Sequence, residues 1–134
     1  MMQKWVVAWV TPANTPPVDI RTGEACWLMV RHKDRGWELP GGWVEKDEDE
    51  QMAALREVFE ETGFLGTAKK SALNLADGGG DVVWIEVEDE PLPEPWESAD
   101  PNIKEVGWCL SPPQPLAWDE RELEIFSSYD WSAS

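Results

Sequence analysis

Five stretches of the chain alternate or run apolar in the manner of strands, and two repeat at helical spacing. Trp5-Val6-Val7-Ala8-Trp9-Val10 reads as a first strand over Lys4 to Val10, and Ala25 to Arg31 as a second, buried one. Between them Thr11 to Thr22 carries Pro12, Pro16 and Pro17 and reads as a loop. Asp34-Arg35-Gly36 is a turn signal, Trp37-Glu38-Leu39 a short extended piece, and Pro40-Gly41-Gly42 a break. Asp49 to Thr62 reads as a helix with Met52, Leu55, Val58 and Phe59 as its apolar stripe and Gly63 as its stop. Ala72 to Leu75 reads as a strand, and Asp77 to Asp81 as a turn. In Val82 to Glu88, Val83, Ile85 and Val87 share one face, opposite Trp84, Glu86 and Glu88. The acidic, proline-rich Glu90 to Pro101 is a loop, Ile103 to Leu110 a last strand, and Trp118 to Ser127 a closing helix. With 134 residues, no internal repeat and no long apolar run, the pattern predicts one domain over residues 1–134 and no membrane span.

Composition changes this picture in three places. Lys and Arg number 11 against 27 Asp and Glu, a net charge of −16, which argues against an extended nucleic-acid surface or an anionic membrane as partner. An anionic substrate would be repelled unless divalent cations offset the charge locally; the excess acid also suits solvation in a high-salt cytoplasm. Ten Trp are too many to leave exposed, so most belong to the core and one or two are available to stack on a ligand ring. Cys26 and Cys109 each lie in an apolar run and read as buried thiols, with no Cys/His spacing for zinc. His32, the single histidine, reads as a surface residue between strand and turn. The N-terminus lacks signal-peptide order, so the cytoplasm is the default location.

The segment from Gly42 to Phe64 carries the chemistry. Glu57, Glu60 and Glu61 stand at i, i+3 and i+4, so they share one helix face, where like charges cost stability unless water or a cation meets them. Hard oxygen ligands in that pattern suit Mg²⁺, with Mn²⁺ as substitute. Leu39-Pro40-Gly41-Gly42 permits close backbone approach, and a carbonyl there is a further ligand candidate. Glu48 and Arg56 stand one helix end apart and are positioned to pair. Asp47-Glu48-Asp49 opens like a calcium loop but has Met52 where such a loop needs glycine. The glycines at 78–80 lack the Lys-Ser/Thr of a P-loop.

This segment resembles the box of the Nudix hydrolases, G-x5-E-x7-R-E-U-x-E-E-x-G-U with U bulky and apolar, at every defined position. Leu28 to Arg31, the lead-in Trp37 to Gly42 and Glu105-Val106-Gly107-Trp108 also look like that family. The resemblance implies an α/β fold, an α/β/α sandwich around a mixed β-sheet. It implies hydrolysis of a phosphoanhydride in a nucleoside diphosphate linked to another moiety. Carried over, Glu57, Glu60, Glu61 and the Gly41 carbonyl are metal ligands, and Glu48 and Arg56 stabilise the box. The general base is expected at Glu57 or Glu60, then at Glu105, Glu86 or Glu88. Arg31, Trp118 and Asp119 are candidate substrate contacts; Trp118-Asp119-Glu120 looks like the Trp-then-acid segment with which the family's oxidised-purine triphosphatases grip the base. Trp27, Trp37, Trp43 and Trp84 are rival platforms, and Trp118 packing against the sheet with Asp119 or Glu120 in a helix's first turn is the plainer alternative. A short chain with Gly79-Gly80-Asp81-Val82 beyond the box favours a small nucleoside triphosphate, in pool-sanitising or housekeeping hydrolysis. Dinucleoside polyphosphates and nucleotide sugars are the alternatives, and a catalytically silent nucleotide-binding or regulatory domain is the reading from another class. A homodimer is left open.

Overall fold

The computed structural model describes residues 3–132 and orders seven strands and two α-helices along the chain. Strands β1 (Trp5–Pro12), β4 (Gly41–Trp43), β5 (Gly66–Ala72) and β6 (Asp81–Val87) form a mixed sheet in the order β4-β1-β6-β5, with β1 and β6 parallel. Strands β2 (Trp27–His32), β3 (Gly36–Glu38) and β7 (Ile103–Cys109) form an antiparallel sheet in the order β3-β2-β7.

Alternation along the strands divides the interior in two, because successive side chains leave opposite faces. Val6, Ala8 and Val10 join Leu28, Val30, Val83 and Ile85 beneath helix α1 (Glu50–Thr62). Val7 and Trp9 join Trp27, Met29, Leu123 and Phe126 beneath helix α2 (Glu120–Ser128). The result is the expected α/β/α sandwich. Trp9 and Trp27 stack at its centre, ring centroids 5.2 Å apart. No described helix is long and apolar enough to cross a membrane.

Helix α1 starts where Asp49 accepts a hydrogen bond from the Met52 N–H (2.8 Å), and ends at Gly63, whose φ of 85° suits glycine. Its docked face differs from the expected stripe. Met52 and Phe59 are each 51% exposed, whereas Ala53, Ala54, Val58, Glu61 and Thr62 are buried. The alanines let the helix approach the sheet closely, and that approach, rather than side-chain bulk, sets its rotation. Two strand expectations also shift. Gly41–Trp43, read as a break, pairs with Trp5–Val7 of β1. The strand expected at 72–75 lies instead at Gly66–Ala72, a lysine-bearing edge strand whose half-exposed sequence hides its period.

Candidate active site

Two glycines bring the lead-in loop against the helix. A Cβ at Gly41 would lie 2.3 Å from the Val6 carbonyl oxygen, and one at Gly42 would lie 2.7 Å from the Glu57 carboxylate. Only glycine allows both approaches. Arg56 then fastens loop to helix. Its Nε and Nη2 donate to Glu48 at 2.7 and 3.0 Å, its Nη1 to Glu57 at 2.6 Å, and its Nη2 to the Trp43 carbonyl at 3.1 Å. Hydrogen bonding to Glu48, ahead of that to Glu57, holds the guanidinium charge more firmly than usual, and Arg56 in turn lowers the Glu48 carboxyl below its ordinary range.

Beside this anchor lies a polar cleft of about 170 Å³, into which Glu57 and Glu61 of α1 face together with Gly41. Glu61 is only 6% exposed. Its Oε2 accepts from the Gly41 N–H at 3.4 Å, and among the described residues no Lys or Arg pairs with it. Burial, then its hydrogen bond and charge contact with Glu57, push its carboxyl well above the usual range; the charge of Glu38 adds to this and the Gly41 N–H opposes it. A buried carboxylate facing a second one without a basic partner is an environment that a divalent cation would relieve, so Glu57, Glu61 and the Gly41 backbone fit such an ion. Glu60 is not gathered with them. Its side chain is 51% exposed and leans on Arg56 at 3.4 Å. Among the described residues no three His, Cys, Asp or Glu side chains already surround one point.

The cleft also collects residues that the sequence did not single out for it. His32, read as a surface residue, is half-buried and lines it. The His32 Nδ1 accepts from the Asp34 N–H at 3.1 Å, so Nε2 carries the proton when the ring is neutral. Arg35 and Glu38 enter as a two-point pair, Nη2 to Oε1 at 2.9 Å and Nε to Oε2 at 3.2 Å. From the far side come Asp100 and Asn102, on the loop before β7. That loop is tied to the last turn of α1: Ser98 Oγ donates to the Glu61 carbonyl at 2.6 Å, Trp96 Nε1 to the Thr62 carbonyl at 3.3 Å, and the Asp100 N–H to Ser98 Oγ at 3.0 Å. The acid at Asp100 and the Arg35-Glu38 spacing were visible signals, but only the fold brings them to α1.

Other expected site residues are placed elsewhere. Glu105 and Arg31 form a cross-strand ion pair at 3.2 Å, and neither lines the cleft. Glu86 lies 3.7 Å from Lys69 in the other sheet. Trp118 packs half-buried against the core and also lines a second cavity, of about 360 Å³, with Trp5 and Trp43. That cavity shares Arg35, Glu38 and Gly41 with the polar cleft. Asp119 does not join Trp118 there; its carboxylate caps α2 by accepting from the Arg121 N–H at 3.0 Å.

A two-sheet sandwich with an acid-bearing helix over a glycine-rich loop defines a class, and comparison with known proteins agrees. The sequence model of the NUDIX domain matches residues 15–123, and the chain belongs to that family. YtkD of Bacillus subtilis, which carries the name of an 8-oxo-dGTP diphosphatase, is 62% identical over 37 residues, covering 28% of this chain and 23% of that protein. The matched stretches span a quarter or less of the curated relatives' lengths. Among solved structures, the pyrophosphohydrolase BsRppH of Bacillus subtilis superposes with a TM-score of 0.59 at 23% identity, over 96% of this chain and 84% of that one. An ADP-ribose pyrophosphatase from Streptococcus suis gives 0.59 at 19% identity, over 98% and 96%. These likenesses establish the fold.

Proposed function

We propose that residues 1–134 form one hydrolase domain, which cleaves a phosphoanhydride in a nucleoside diphosphate linked to a second group. A nucleoside triphosphate is the favoured substrate, split into a nucleotide and pyrophosphate or phosphate. The observation that carries this reading is the continuity of two unlike cavities: an acidic cleft and a tryptophan-lined pocket meet at Arg35, Glu38 and Gly41. A polyphosphate would suit the first if a divalent ion offset the carboxylates, and a base ring suits the second. The relative named as an 8-oxo-dGTP diphosphatase supports the triphosphate choice. Such a substrate places the enzyme with the nucleotide pools of the cytoplasm.

In this reading Glu57, Glu61 and the Gly41 carbonyl would hold Mg²⁺, or Mn²⁺ in its place; the resemblance adds Glu60, which in the metal-free chain leans on Arg56 instead. The bound ion supplies charge compensation at the phosphoryl oxygens and acidifies water. Glu57 or Asp100 accepts the proton of the attacking water as its oxygen bonds to phosphorus and the bond to the leaving phosphate oxygen breaks. His32 and Arg35 face the cleft as donors toward phosphate oxygens. Arg56 and Glu48 keep the glycine loop in register, and Trp5, Trp43 and Trp118 offer ring faces.

The test is a chromatographic product screen over nucleoside triphosphates, oxidised purine triphosphates, dinucleoside polyphosphates and nucleotide sugars, with Mg²⁺ or EDTA. Turnover of one triphosphate class that EDTA abolishes is expected. Faster turnover of a nucleotide sugar or dinucleotide would replace the substrate assignment. No turnover in any class, with nucleotide still bound, would instead mark a silent binding domain.

A further inference from the structure

The acidic loop between β6 and β7 encloses a cavity that shares no lining residue with the site above. Its volume is about 680 Å³, within the range of small-molecule sites. One wall is aromatic: the Phe64 ring centroid lies 5.2 Å from that of Trp96 and 6.2 Å from that of Trp108. The rings are tilted rather than edge-on, by 40° and 32°, and form one half-buried surface. Asp89, Glu90 and Glu94 line the same space from the exposed loop, and no Lys, Arg or His lines it. Leu92, on the same loop, is 62% exposed, and the prolines at 91, 93 and 95 fix φ along it.

Each class of ligand meets this surface differently. An anion, nucleotides included, would be repelled by three carboxylates with no cation to offset them. A neutral apolar molecule would cover the rings but desolvate the carboxylates without replacing their water. An organic cation on an apolar stem suits both the rings and the acids, because ring faces carry negative quadrupole and carboxylates carry charge. We propose that this cavity is a binding site for a small organic cation, an alkylammonium or guanidinium joined to an apolar or aromatic body. Proline-set backbone lowers the ordering cost of forming it.

The test uses the full chain and benzyltrimethylammonium, with benzyl alcohol and benzoate as neutral and anionic counterparts. Binding is read from backbone and indole N–H shifts in ¹⁵N spectra. Saturable shifts confined to the Trp96 and Trp108 indoles and the amides of Asp89, Glu90, Leu92, Glu94 and Trp96 are expected for the cation, with at least about tenfold weaker binding of the alcohol and none of benzoate. The variant Asp89→Asn/Glu90→Gln/Glu94→Gln changes only exposed positions, so its fold is retained, and its affinity for the cation should fall about tenfold. Equal response to cation and alcohol, shifts spread over other tryptophans, or undiminished binding in the triple variant would overturn the proposal. The readout involves no nucleotide, so it is independent of the hydrolase reading.

Discussion

Glu61 is the residue on which chemistry and stability meet. Its raised pKa means that the folded metal-free chain keeps a proton the unfolded chain releases above about pH 4.3. Stability tied to it is therefore fully present below that value and declines as pH rises toward the folded pKa. Glu48 has the opposite sign: its depressed pKa adds stability that is lost as pH falls below about 4.3. Melting in EDTA should accordingly fall from pH 5 to pH 8, and Glu61→Gln should flatten that slope while cutting turnover by about a hundredfold or more. An unchanged slope, or wild-type turnover, would remove Glu61 from its assigned place. Trp118→Ala should raise KM for a purine triphosphate several-fold at near-constant kcat; a lower melting temperature with unchanged KM would make Trp118 a core residue alone. The box residues were legible from spacing because one helix and its preceding loop hold them. His32, Glu38 and Asp100 were not, since three separate segments deliver them and no local period links those segments.

At the level of elements, the rotation of α1 decides which changes matter. Ala54 is buried and Met52 half-exposed, so Ala54→Leu should overpack the helix–sheet contact and cost about 1–3 kcal/mol, whereas Met52→Ala should stay within about 0.5 kcal/mol. Denaturant midpoints of the two variants check this, and the reverse order would restore the bulky stripe as the docked face. Of the expected stripe Val58 is buried and Leu55 packs against the core, but Met52 and Phe59 do not, because the flanking alanines, a weak hydrophobic signal, permit the closest approach. Strand β5 was misplaced for a related reason: an edge strand with lysines shows little alternation. Arg56 joins helix, loop and Glu48 through a side chain 23% exposed. Arg56→Ala should cost about 1–3 kcal/mol, between exposed and buried ion-pair values, and lower the rate as well. A wild-type melting temperature in that variant would show the anchor to be dispensable.

For the whole molecule, a net charge of −16 opposes approach of a polyphosphate from every side. Screening shortens that repulsion to about 10 Å at 0.1 M salt. At fixed free Mg²⁺, kcat/KM for a nucleotide should therefore rise as KCl is added from low ionic strength; a steady fall would point to a local basic funnel that overrides the total charge. The sandwich was legible through the resemblance carried by the box, and among the described residues the reason for it is physical: both faces of β1 are apolar, and each is covered by a layer with its own helix.

The stitching of the segment at 96–102 to the end of α1 has a consequence for how chain length can vary. Trp96 is bridged to Val106 and bonded to the Thr62 carbonyl, Ser98 is bonded to the Glu61 carbonyl, and the Asn102 carbonyl accepts from the Lys33 N–H at 2.9 Å, so both ends of this short stretch are tied down. Residues inserted before it, between Glu88 and Glu90, cost little loop-closure entropy and leave the cleft in place, though they displace the acids of the aromatic cavity. One residue added or removed between Ser98 and Asn102 moves Asp100 relative to Glu57 and Glu61. Homologous chains that keep this cleft can differ freely in the length of the acidic loop, but must hold the spacing from the Trp96 anchor to Asp100.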